Sequence, residues 1–323
     1  MRRHLSFMDS PRYTVIVPMS RFRADEPVLV SLQETPPPRG GLQILVAEGG
    51  HPARQRNAAL GRARGEILVF LDNDCSMGSG YWKELETALA RPKVEIVGGP
   101  ALLRPQATAW EEIFQALLTH TLIVGTVSSR YASRGEFRVA TQTDLILCNL
   151  AVRRSIFEKI GPLSTDLYPN EENEWLDRAR AAGVGAYYDP NLQVFRPQRA
   201  TPGRMALTLL RYGMGRTRQF RVSGWRPTFH QFLPVMVIVT LAALLHWRLE
   251  TDFAVLWLVA SAIIAFTCPS LLRVWQRIVA GLIAPLIPLT YAVGQVLGWG
   301  ALLFPPPASS AEIVLRNERG EQV

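Results

Sequence analysis

Cysteine is scarce in this sequence, with three residues among 323. Cys75, Cys148 and Cys268 lie far apart and are odd in number, which excludes a disulfide framework and the usual spacing of zinc ligands. We therefore expect reduced thiols in a protein that faces the cytosol. The N-terminus is basic at Arg2 and Arg3, but no apolar run follows it, so no secretory signal is predicted.

Histidine is also scarce, with five residues, and two catalytic motifs do not occur. His51, His120 and His230 stand alone, without a partner at ligand spacing, and each is interpreted as structural or interfacial. No serine lies in a nucleophile-elbow motif. The phosphate-binding loop G-x-x-x-x-G-K-[ST] does not occur, which argues against a P-loop enzyme.

Acidic residues are missing between Asp189 and Glu250, although arginines recur there. The arginines of this stretch that precede the apolar part of the chain are Arg196, Arg199, Arg204, Arg211, Arg216, Arg218, Arg221 and Arg226. The net charge of +8 is therefore concentrated just before apolar sequence. This placement favours an anionic membrane surface or phosphate-bearing lipids over nucleic acid. A solvated basic linker is the alternative.

Long apolar runs are confined to the C-terminal third. They are Phe232–Trp247, Phe253–Leu272 and Ile278–Phe304. Because a helix needs about 20 apolar residues to cross a bilayer, we expect about three membrane helices. The third is kinked at Pro285 and Pro288 or is partly re-entrant. The arginine distribution predicts a multi-pass protein of the cell membrane, with a cytoplasmic N-terminal domain and an external tail after Phe304.

Strands and helices alternate in the N-terminal half. The predicted strands are Tyr13–Pro18, Leu42–Ala47, Glu66–Leu71 and Val94–Val97, and the predicted helices are Arg54–Arg64 and Tyr81–Ala90. This alternation predicts an α/β fold, a mostly parallel sheet with helices on both faces. Ligands of such sheets bind beyond the carboxyl ends of the strands. Asp72 and Asp74 follow the third strand at that position.

The motif Asp72-Asn73-Asp74 places two carboxylates two positions apart. Carboxylates placed in this way bind a hard divalent cation, and magnesium typically takes one or two of them together with phosphate oxygens of a substrate. The cation would offset the charge that builds on a leaving diphosphate. A solvated turn is the alternative for an isolated D-x-D.

Three spaced elements lead into this motif in a fixed order. They are the Arg-Asn helix Pro52–Asn57, the Ala-Arg-Gly-Glu turn Ala63–Glu66 and the hydrophobic strand Ile67–Leu71. The run resembles the inverting family-2 glycosyltransferases of GT-A fold. The resemblance implies a Rossmann-like, mixed and mostly parallel sheet, with Mg²⁺ or Mn²⁺ bound by Asp74 and Asp72. It also implies a nucleotide-sugar donor, by default a UDP-sugar with a GDP-sugar as the alternative, bound by Pro18, Glu48, Arg56, Asp72 and Asn73.

A second block agrees with the same family. Cys148–Arg154 precedes Asn170–Trp175, where Glu171 and Glu172 open a helix. In the family an E-D pair occupies this place, and its second carboxylate deprotonates the acceptor hydroxyl. The resemblance therefore implies that Glu172 is the catalytic base, with Glu171 as the competing choice. Acidic residues at a helix N-terminus also occur as ordinary capping electrostatics.

Two loops depart from the family pattern. Ala47-Glu48-Gly49-Gly50 stands where a double Asp followed by Gly-Ser is usual, and the second Asp of that pattern contacts the base. Glu48 could accept a hydrogen bond from a pyrimidine N–H, but its longer side chain leaves the identity of the base open. Pro18-Met19-Ser20-Arg21 stands where Pro, a small residue, Tyr and Asn are common.

Arginine-rich segments beyond the catalytic helix carry a closer resemblance. Arg196–Arg199 and Arg211–Arg216 resemble membrane-bound succinoglycan-type exopolysaccharide glycosyltransferases. This implies polysaccharide or glycolipid synthesis, with a lipid-linked saccharide or a lipid as acceptor. Met205–Leu210 is suited to an interfacial helix. Arg211, Arg216 and Arg218 are predicted to contact a diphosphate or a lipid headgroup.

The resulting hypothesis is a membrane-anchored inverting glycosyltransferase. Its predicted parts are a cytoplasmic GT-A domain (1–195), a basic interfacial segment (196–228), a membrane domain of about three helices (229–304) and a tail (305–323). A catalytically inactive GT-A-like membrane scaffold and a polyprenyl-phosphate glycosyltransferase are the alternatives. A small transporter is disfavoured by the few spans and their lack of ionisable residues.

Overall fold

The computed structural model describes residues 11–141, 143–223, 236, 239–240, 243, 250–268, 272–301 and 312–323. The chain divides into two compact units. The first unit comprises Met1–Leu102, Ser129–Arg196 and Ala308–Val323. The second comprises Leu103–Ser128 and Pro197–Pro307. Sequence analysis did not anticipate that residues 103–128 belong to the second unit.

The regular elements alternate along the first unit as the sequence predicts. The strands are β1 (Tyr13–Met19), β2 (Leu42–Glu48), β3 (Ile67–Leu71), β4 (Ser76–Met77), β5 (Ile96–Gly98), β6 (Ala101–Leu103), β7 (Arg138–Val139), β8 (Asn149–Arg153), β9 (Ala186–Tyr188), β10 (Val194–Arg196) and β11 (Val314–Arg316). The helices of the whole described chain are α1 (Pro27–Glu34), α2 (Pro52–Leu60), α3 (Tyr81–Leu89), α4 (Ala109–Thr119), α5 (Thr121–Val124), the 3-10 helix Gly125–Arg130, α6 (Arg154–Ile160), α7 (Glu171–Ala181), α8 (Pro202–Val222), α9 (Glu250–Thr267), α10 (Val274–Ile283) and α11 (Leu286–Ala301).

A mixed sheet forms the centre of the first unit, in the order β11-β2-β1-β3-β8-β5-β9-β7. β1 pairs in parallel with β2 and β3, and β5 pairs in parallel with β9. β8 is antiparallel to both β3 and β5. A smaller sheet has the order β4-β10-β6. The predicted mixed α/β fold is thus confirmed, and the carboxyl ends of β1, β2 and β3 meet at one edge.

Residues of the central strands are buried on both faces of the sheet. Val15 and Val69 pack into one hydrophobic cluster, whereas Ile16 and Phe70 pack into the other. Alternate residues of a strand point to opposite faces, so a strand covered by helices on both sides reads as a continuous apolar run. This is why β1 and β3 are recognisable from their sequences alone.

The turn before β3 requires glycine at position 65. A Cβ atom there would lie 2.5 Å from the backbone nitrogen of Thr14, and such a separation is too short for two heavy atoms. The Gly65 N–H also donates to Oγ1 of Thr14 at 2.8 Å. The Ala-Arg-Gly-Glu turn therefore lets the chain pass close to β1 before it enters β3.

Helices α8 and α11 of the second unit cross at glycine residues. A Cβ atom on Gly213 would lie 2.2 Å from the carbonyl oxygen of Tyr291, and one on Gly294 would lie 2.4 Å from that of Leu210. Oγ1 of Thr217 donates to the Gln295 carbonyl at 3.0 Å. Small residues that let helix backbones touch are typical of helix pairs in membranes.

One continuous segment of the described chain, Val274–Ala301, is long and apolar enough to cross a membrane. It has 28 residues, and its most apolar 18-residue stretch has a mean hydropathy of 1.6. The helix is interrupted at Pro285, because α10 ends at Ile283 and α11 begins at Leu286, whereas Pro288 lies inside α11. In α9 the apolar part, Ala254–Thr267, is shorter than a span. The predicted first span, Phe232–Trp247, lies outside the described residues apart from isolated positions, so a three-helix membrane domain stays a prediction.

The C-terminal segment folds back onto the first unit. β11 pairs antiparallel with β2, with Val314 opposite Glu48 and Arg316 opposite Val46. A strand cannot form backbone hydrogen bonds across a bilayer with a sheet on the other side. The predicted external tail is therefore wrong, and residues 312–323 lie on the same side of any membrane as the N-terminal sheet.

Candidate active site

The two carboxylates of the D-x-D lie where β3 ends. Asp72 directly follows β3, and its carbonyl accepts from the N–H of Cys75 at 3.1 Å, which turns the chain. The side chains of Asp72 and Asp74 retain 25% and 31% of their exposure. Asn73 instead donates from Nδ2 to Oε2 of Glu26 at 3.1 Å. Both carboxylates are thus held at a surface that a ligand can reach.

Arg56 of α2 joins this motif to the start of α7. Its Nη2 donates to Oδ1 of Asp72 at 2.7 Å, and its Nη1 donates to Oε1 of Glu171 at 3.1 Å. Burial alone would lower the pKa of Arg56, but Asp72 and then Glu171 raise it above its usual value. The sequence predicted Arg56 as a nucleotide contact. In the structure it is a buried bridge between two parts of the site, and its contact with a nucleotide stays a prediction.

A second arginine, Arg196 at the end of β10, binds both aspartates. Its Nη2 donates to Oδ2 of Asp74 at 3.0 Å, and its Nη1 donates to Oδ2 of Asp72 at 3.3 Å. Burial opposes the charge of Arg196, but Asp74 raises the pKa of the guanidinium well above its usual value. Arg196 is therefore a permanent cation between the two carboxylates.

The adjacent glutamates at the start of α7 differ in their surroundings. Glu171 is buried, and burial, followed by the charge of Glu172, raises its pKa to about 8. Its Oε2 has no hydrogen-bond partner among the described residues. The Glu172 side chain is 14% exposed, and its Oε1 lies 3.7 Å from Nη1 of Arg130. Glu172 is the more accessible carboxylate, whereas Glu171 is tied to Arg56.

Arg130 itself is fixed by two further hydrogen bonds. Its Nη2 donates to Oδ1 of Asn173 at 2.7 Å, and its Nε donates to the carbonyl of Thr143 at 3.0 Å. Because the Arg130 guanidinium is held in this way, it presents a fixed positive charge to Glu172. The start of α7 adds the partial positive charge of a helix N-terminus.

Glu48 lies at the carboxyl end of β2, where the nucleotide is expected. Its Oε1 accepts from the Phe22 N–H at 2.9 Å, and its Oε2 accepts from Nε of Arg316. The hydrogen bond from Arg316, followed by that from Phe22, lowers the pKa of Glu48. Pro18 lies in the adjacent β1, opposite Ala47. Pro18 and Glu48 therefore lie towards one edge of the sheet, although the carboxylate is already bonded.

The arginines predicted to contact phosphate groups lie in the second unit, on α8. Arg211 is exposed, whereas Arg216 and Arg218 are half-buried. Nη1 of Arg216 donates to Oε1 of Gln219 at 3.0 Å. Their contact with a diphosphate or a lipid headgroup stays a prediction.

Three arginines of the first unit were not predicted to contact these carboxylates: Arg130, Arg196 and Arg316. Arg196 lies 122 residues from Asp74, and Arg316 lies 268 residues from Glu48. No local pattern connects partners this far apart. In the sequence, Arg196 is recognisable only as part of the basic stretch and of the segment Arg196–Arg199, and neither pattern identifies its partners.

Asp72 and Asp74 supply only part of the ligand set that a divalent cation needs. Among the described residues, no three histidine, cysteine, aspartate or glutamate side chains form a metal cage. Asp72 and Asp74 supply two carboxylates, which suits Mg²⁺ or Mn²⁺ when a diphosphate provides further oxygens. Arg196 binds one oxygen of each carboxylate. A cation that arrives with a diphosphate therefore fits, provided that Arg196 releases at least part of the motif.

Comparison with known proteins gives a family match over part of the chain. Residues 25–161 match the family described as Glycosyl transferase family 2. This match covers less than half of the chain, and it includes Asp72 and Asp74. Glu171, Glu172 and Arg196 lie beyond its end.

A curated relative is the glycosyltransferase AglE of Haloferax volcanii, which is 25% identical over 178 residues. The aligned part covers 54% of this chain and 53% of AglE, so the chain spans about half the length of that relative. A similar solved structure is a mannosyltransferase from Pyrobaculum calidifontis in complex with GDP-Man and Mn²⁺. It has a TM-score of 0.54 and 20% identity, and the match covers 92% of this chain and 88% of the mannosyltransferase. At this identity the likeness shows the fold, which is GT-A-like.

Proposed function

We propose that this chain, which carries a family-2 glycosyltransferase domain, transfers a sugar from a nucleotide-sugar donor to an acceptor hydroxyl at a membrane. The observation that carries the proposal is the double hydrogen bond of Arg56. It joins Asp72 of the D-x-D to Glu171 of the Glu171-Glu172 pair. Two motifs separated by about a hundred residues of sequence therefore belong to one site.

Asp72 and Asp74 form the donor end of this site. They would hold Mg²⁺ or Mn²⁺ together with the donor diphosphate, and the bound cation supplies charge neutralisation to the leaving group. Arg196 lies against the same two carboxylates. Once it releases them, its guanidinium is placed to bind phosphate oxygens in the bidentate geometry that arginine favours.

Glu172 is the proposed general base. It takes the proton of the acceptor hydroxyl while that oxygen attacks the anomeric carbon, and the nucleoside diphosphate leaves from the opposite face, which inverts the configuration. Glu171 is unsuited to this role, because it is buried and bonded to Arg56. Glu172 is more exposed, and Arg130 orients its carboxylate from 3.7 Å. General base catalysis of this kind typically contributes about 10²–10⁴-fold.

The donor is proposed to be a UDP-sugar, with a GDP-sugar as the alternative. The acceptor is proposed to be a lipid-linked saccharide or a lipid, in polysaccharide or glycolipid synthesis such as that of exopolysaccharides. Support for a membrane acceptor comes from the second unit, where the arginine-rich α8 packs closely on α11 of the apolar segment Val274–Ala301. A location at the cell membrane follows from the same proposal.

Two alternatives make different predictions for the same assay. A catalytically inactive GT-A-like scaffold would turn over no donor, and the link from Asp72 through Arg56 to Glu171 argues against it. A polyprenyl-phosphate glycosyltransferase would place the sugar directly on a lipid phosphate. In that case the attacking group is a phosphate oxygen that is already ionised, so Glu172 would have no proton to remove.

The test is a donor and acceptor screen with the detergent-purified full chain. Nucleotide-sugars are incubated with Mg²⁺ or Mn²⁺ and with an extract of lipid-linked saccharides, and release of nucleoside diphosphate is measured. Glu172→Gln serves as the base variant, and Glu158→Gln, an exposed carboxylate of α6, serves as the matched control. We expect release that depends on acceptor and on Glu172. Absence of release with every donor would contradict the proposal.

A further inference from the structure

The C-terminal segment 312–323 forms a small hairpin on the edge of the central sheet. β11 pairs with β2, and the chain then turns between Asn317 and Gly320, whose N–H donates to the Asn317 carbonyl at 3.0 Å. The Val323 N–H donates to the Leu315 carbonyl at 3.0 Å and closes the hairpin. The C-terminal segment is therefore held to the sheet by backbone hydrogen bonds on both sides of its turn.

This hairpin packs against the loops that follow β1 and β2. A Cβ atom on Gly320 would lie 2.7 Å from the ring of Phe22, so the glycine lies directly on that ring. A Cβ atom on Gly49 would lie 3.5 Å from Cγ1 of Ile313. The loops after β1 and β2 lie at the carboxyl edge of the sheet, where ligands of such folds bind.

Arg316 and the Phe22 backbone hold the Glu48 carboxylate from two sides. Each oxygen accepts one hydrogen bond, Oε1 from Phe22 and Oε2 from Arg316. A carboxylate has about four lone-pair sites, so Glu48 can still accept from a ligand. The Glu48 side chain retains 16% of its exposure, which leaves it reachable.

We propose that the C-terminal hairpin is part of the donor site and that Arg316 is a positioning residue for recognition of the base. Arg316 fixes Glu48 as an oriented, acceptor-only group. Uracil and guanine present a ring N–H to such an acceptor, whereas cytosine and adenine present a ring nitrogen with a lone pair. A carboxylate held against that ring nitrogen, rather than against the exocyclic amino group of cytosine or adenine, therefore favours uridine or guanosine diphosphates. This inference rests on the proposed function.

Calorimetric titration of the full chain with UDP, GDP, CDP and ADP, in the presence of Mg²⁺, tests the proposal. We expect UDP or GDP to bind more tightly than CDP and ADP. Arg316→Gln should weaken the preferred nucleotide about tenfold, the cost of one charged hydrogen bond, and should remove most of the preference. Arg316→Lys should keep part of the affinity and part of the preference. Arg319→Gln, an exposed residue of the same hairpin, is the charge-matched control and should change neither.

The possible outcomes separate the inference from the function on which it rests. If the wild type binds no nucleoside diphosphate, the proposed function fails, and the inference fails with it. If the wild type discriminates and Arg316→Gln keeps both affinity and preference, only the role of Arg316 is overturned. An equal loss in Arg319→Gln would overturn it as well. If Arg316→Gln does not fold, Glu48→Ala decides, because alanine removes the acceptor that a glutamine amide would keep. An unchanged nucleotide preference in Glu48→Ala would overturn the inference.

Discussion

Arg196 donates to Oδ2 of Asp74 at 3.0 Å and to Oδ2 of Asp72 at 3.3 Å, so a fixed cation occupies the space between the two carboxylates. Arg56 binds a third oxygen, Oδ1 of Asp72. A divalent cation and a guanidinium carry the same sign of charge and compete for these oxygens. The two carboxylates of the proposed donor site are therefore already paired with two guanidinium groups, and a divalent cation would have to displace Arg196 from them.

We expect Arg196→Gln to raise the affinity for Mn²⁺ in the absence of nucleotide. The variant removes a positive charge in hydrogen-bond contact with both carboxylates, and an increase of about tenfold corresponds to about 1.4 kcal/mol. Electron paramagnetic resonance of free Mn²⁺ measures this directly. Arg154→Gln, at the start of α6 and paired with the exposed Glu158, is the control. Unchanged Mn²⁺ affinity would show that Arg196 does not compete with the cation.

Asp72→Ala should destabilise the fold more than Asp74→Ala, although both should abolish transfer. Asp72 pairs with Arg56 and Arg196, whereas Asp74 pairs with Arg196 alone. Removing Asp72 leaves the buried Arg56 with one partner fewer, and we expect a further loss of about 1–2 kcal/mol in the free energy of unfolding. Urea denaturation of the two variants gives the difference. Equal stabilities would contradict the bridging role of Arg56.

Glu172→Gln should reduce transfer by about 10²-fold or more while leaving nucleotide binding intact, because it removes the proposed base and nearly preserves its size. Glu171→Gln should not remove the base, since Glu171 contacts Arg56 rather than an open surface. Single-turnover rates and nucleoside diphosphate affinity of both variants are the measurements. If Glu171→Gln is inactive and Glu172→Gln remains active, the general base is Glu171 rather than Glu172.

The stability of the protein should fall as the pH rises towards 8, and Glu171 is the predicted cause. Its pKa is raised from 4.5 to about 8, first by burial and then by the charge of Glu172. A carboxyl group of this kind binds its proton more tightly in the folded chain, so its contribution is complete below about pH 4.5 and is lost as the pH approaches 8. The thermal stability of the wild type should fall as the pH rises from about 4.5 to 8, and Glu171→Gln should reduce this dependence on pH. Parallel profiles would refute the assignment.

The crossing of α8 and α11 should not tolerate a side chain at Gly213. A Cβ atom there would lie 2.2 Å from the Tyr291 carbonyl, and backbone atoms cannot move aside as a flexible side chain can. We expect Gly213→Val to cost at least about 1–3 kcal/mol, the usual range for overpacking. Thermal stability in detergent is the measurement. Gly300→Val is the matched control, because a Cβ atom at Gly300 has no neighbour within 4 Å.

The C-terminal hairpin should be accessible from the same side of the membrane as the N-terminal domain. Single cysteines at Arg62 and at Arg319, both exposed, are to be labelled in sealed vesicles with a membrane-impermeant maleimide. The native cysteines are buried and give little background. Both positions should label in vesicles of one orientation only. Labelling of Arg319→Cys and Arg62→Cys in opposite orientations would contradict the pairing of β11 with β2.

The sequence by itself determined the parts of this protein that depend on neighbouring residues. Burial on both faces makes β1 and β3 continuous apolar runs, so their bounds were predicted to within about one residue. Asp72 and Asp74 follow a strand, and Glu171 begins a helix, because strand ends and helix starts have local signatures. The apolar segment interrupted at Pro285 was visible for the same reason.

Only the tertiary structure decided which charges meet. Arg56, Arg196 and Arg316 each reach carboxylates that are distant in sequence, and such pairs depend on strand order rather than on any local pattern. The same holds for the C-terminal tail. Its residues 314–316 give no indication of their partner until β2 is found at an open edge of the sheet, where unpaired backbone groups accept one more strand.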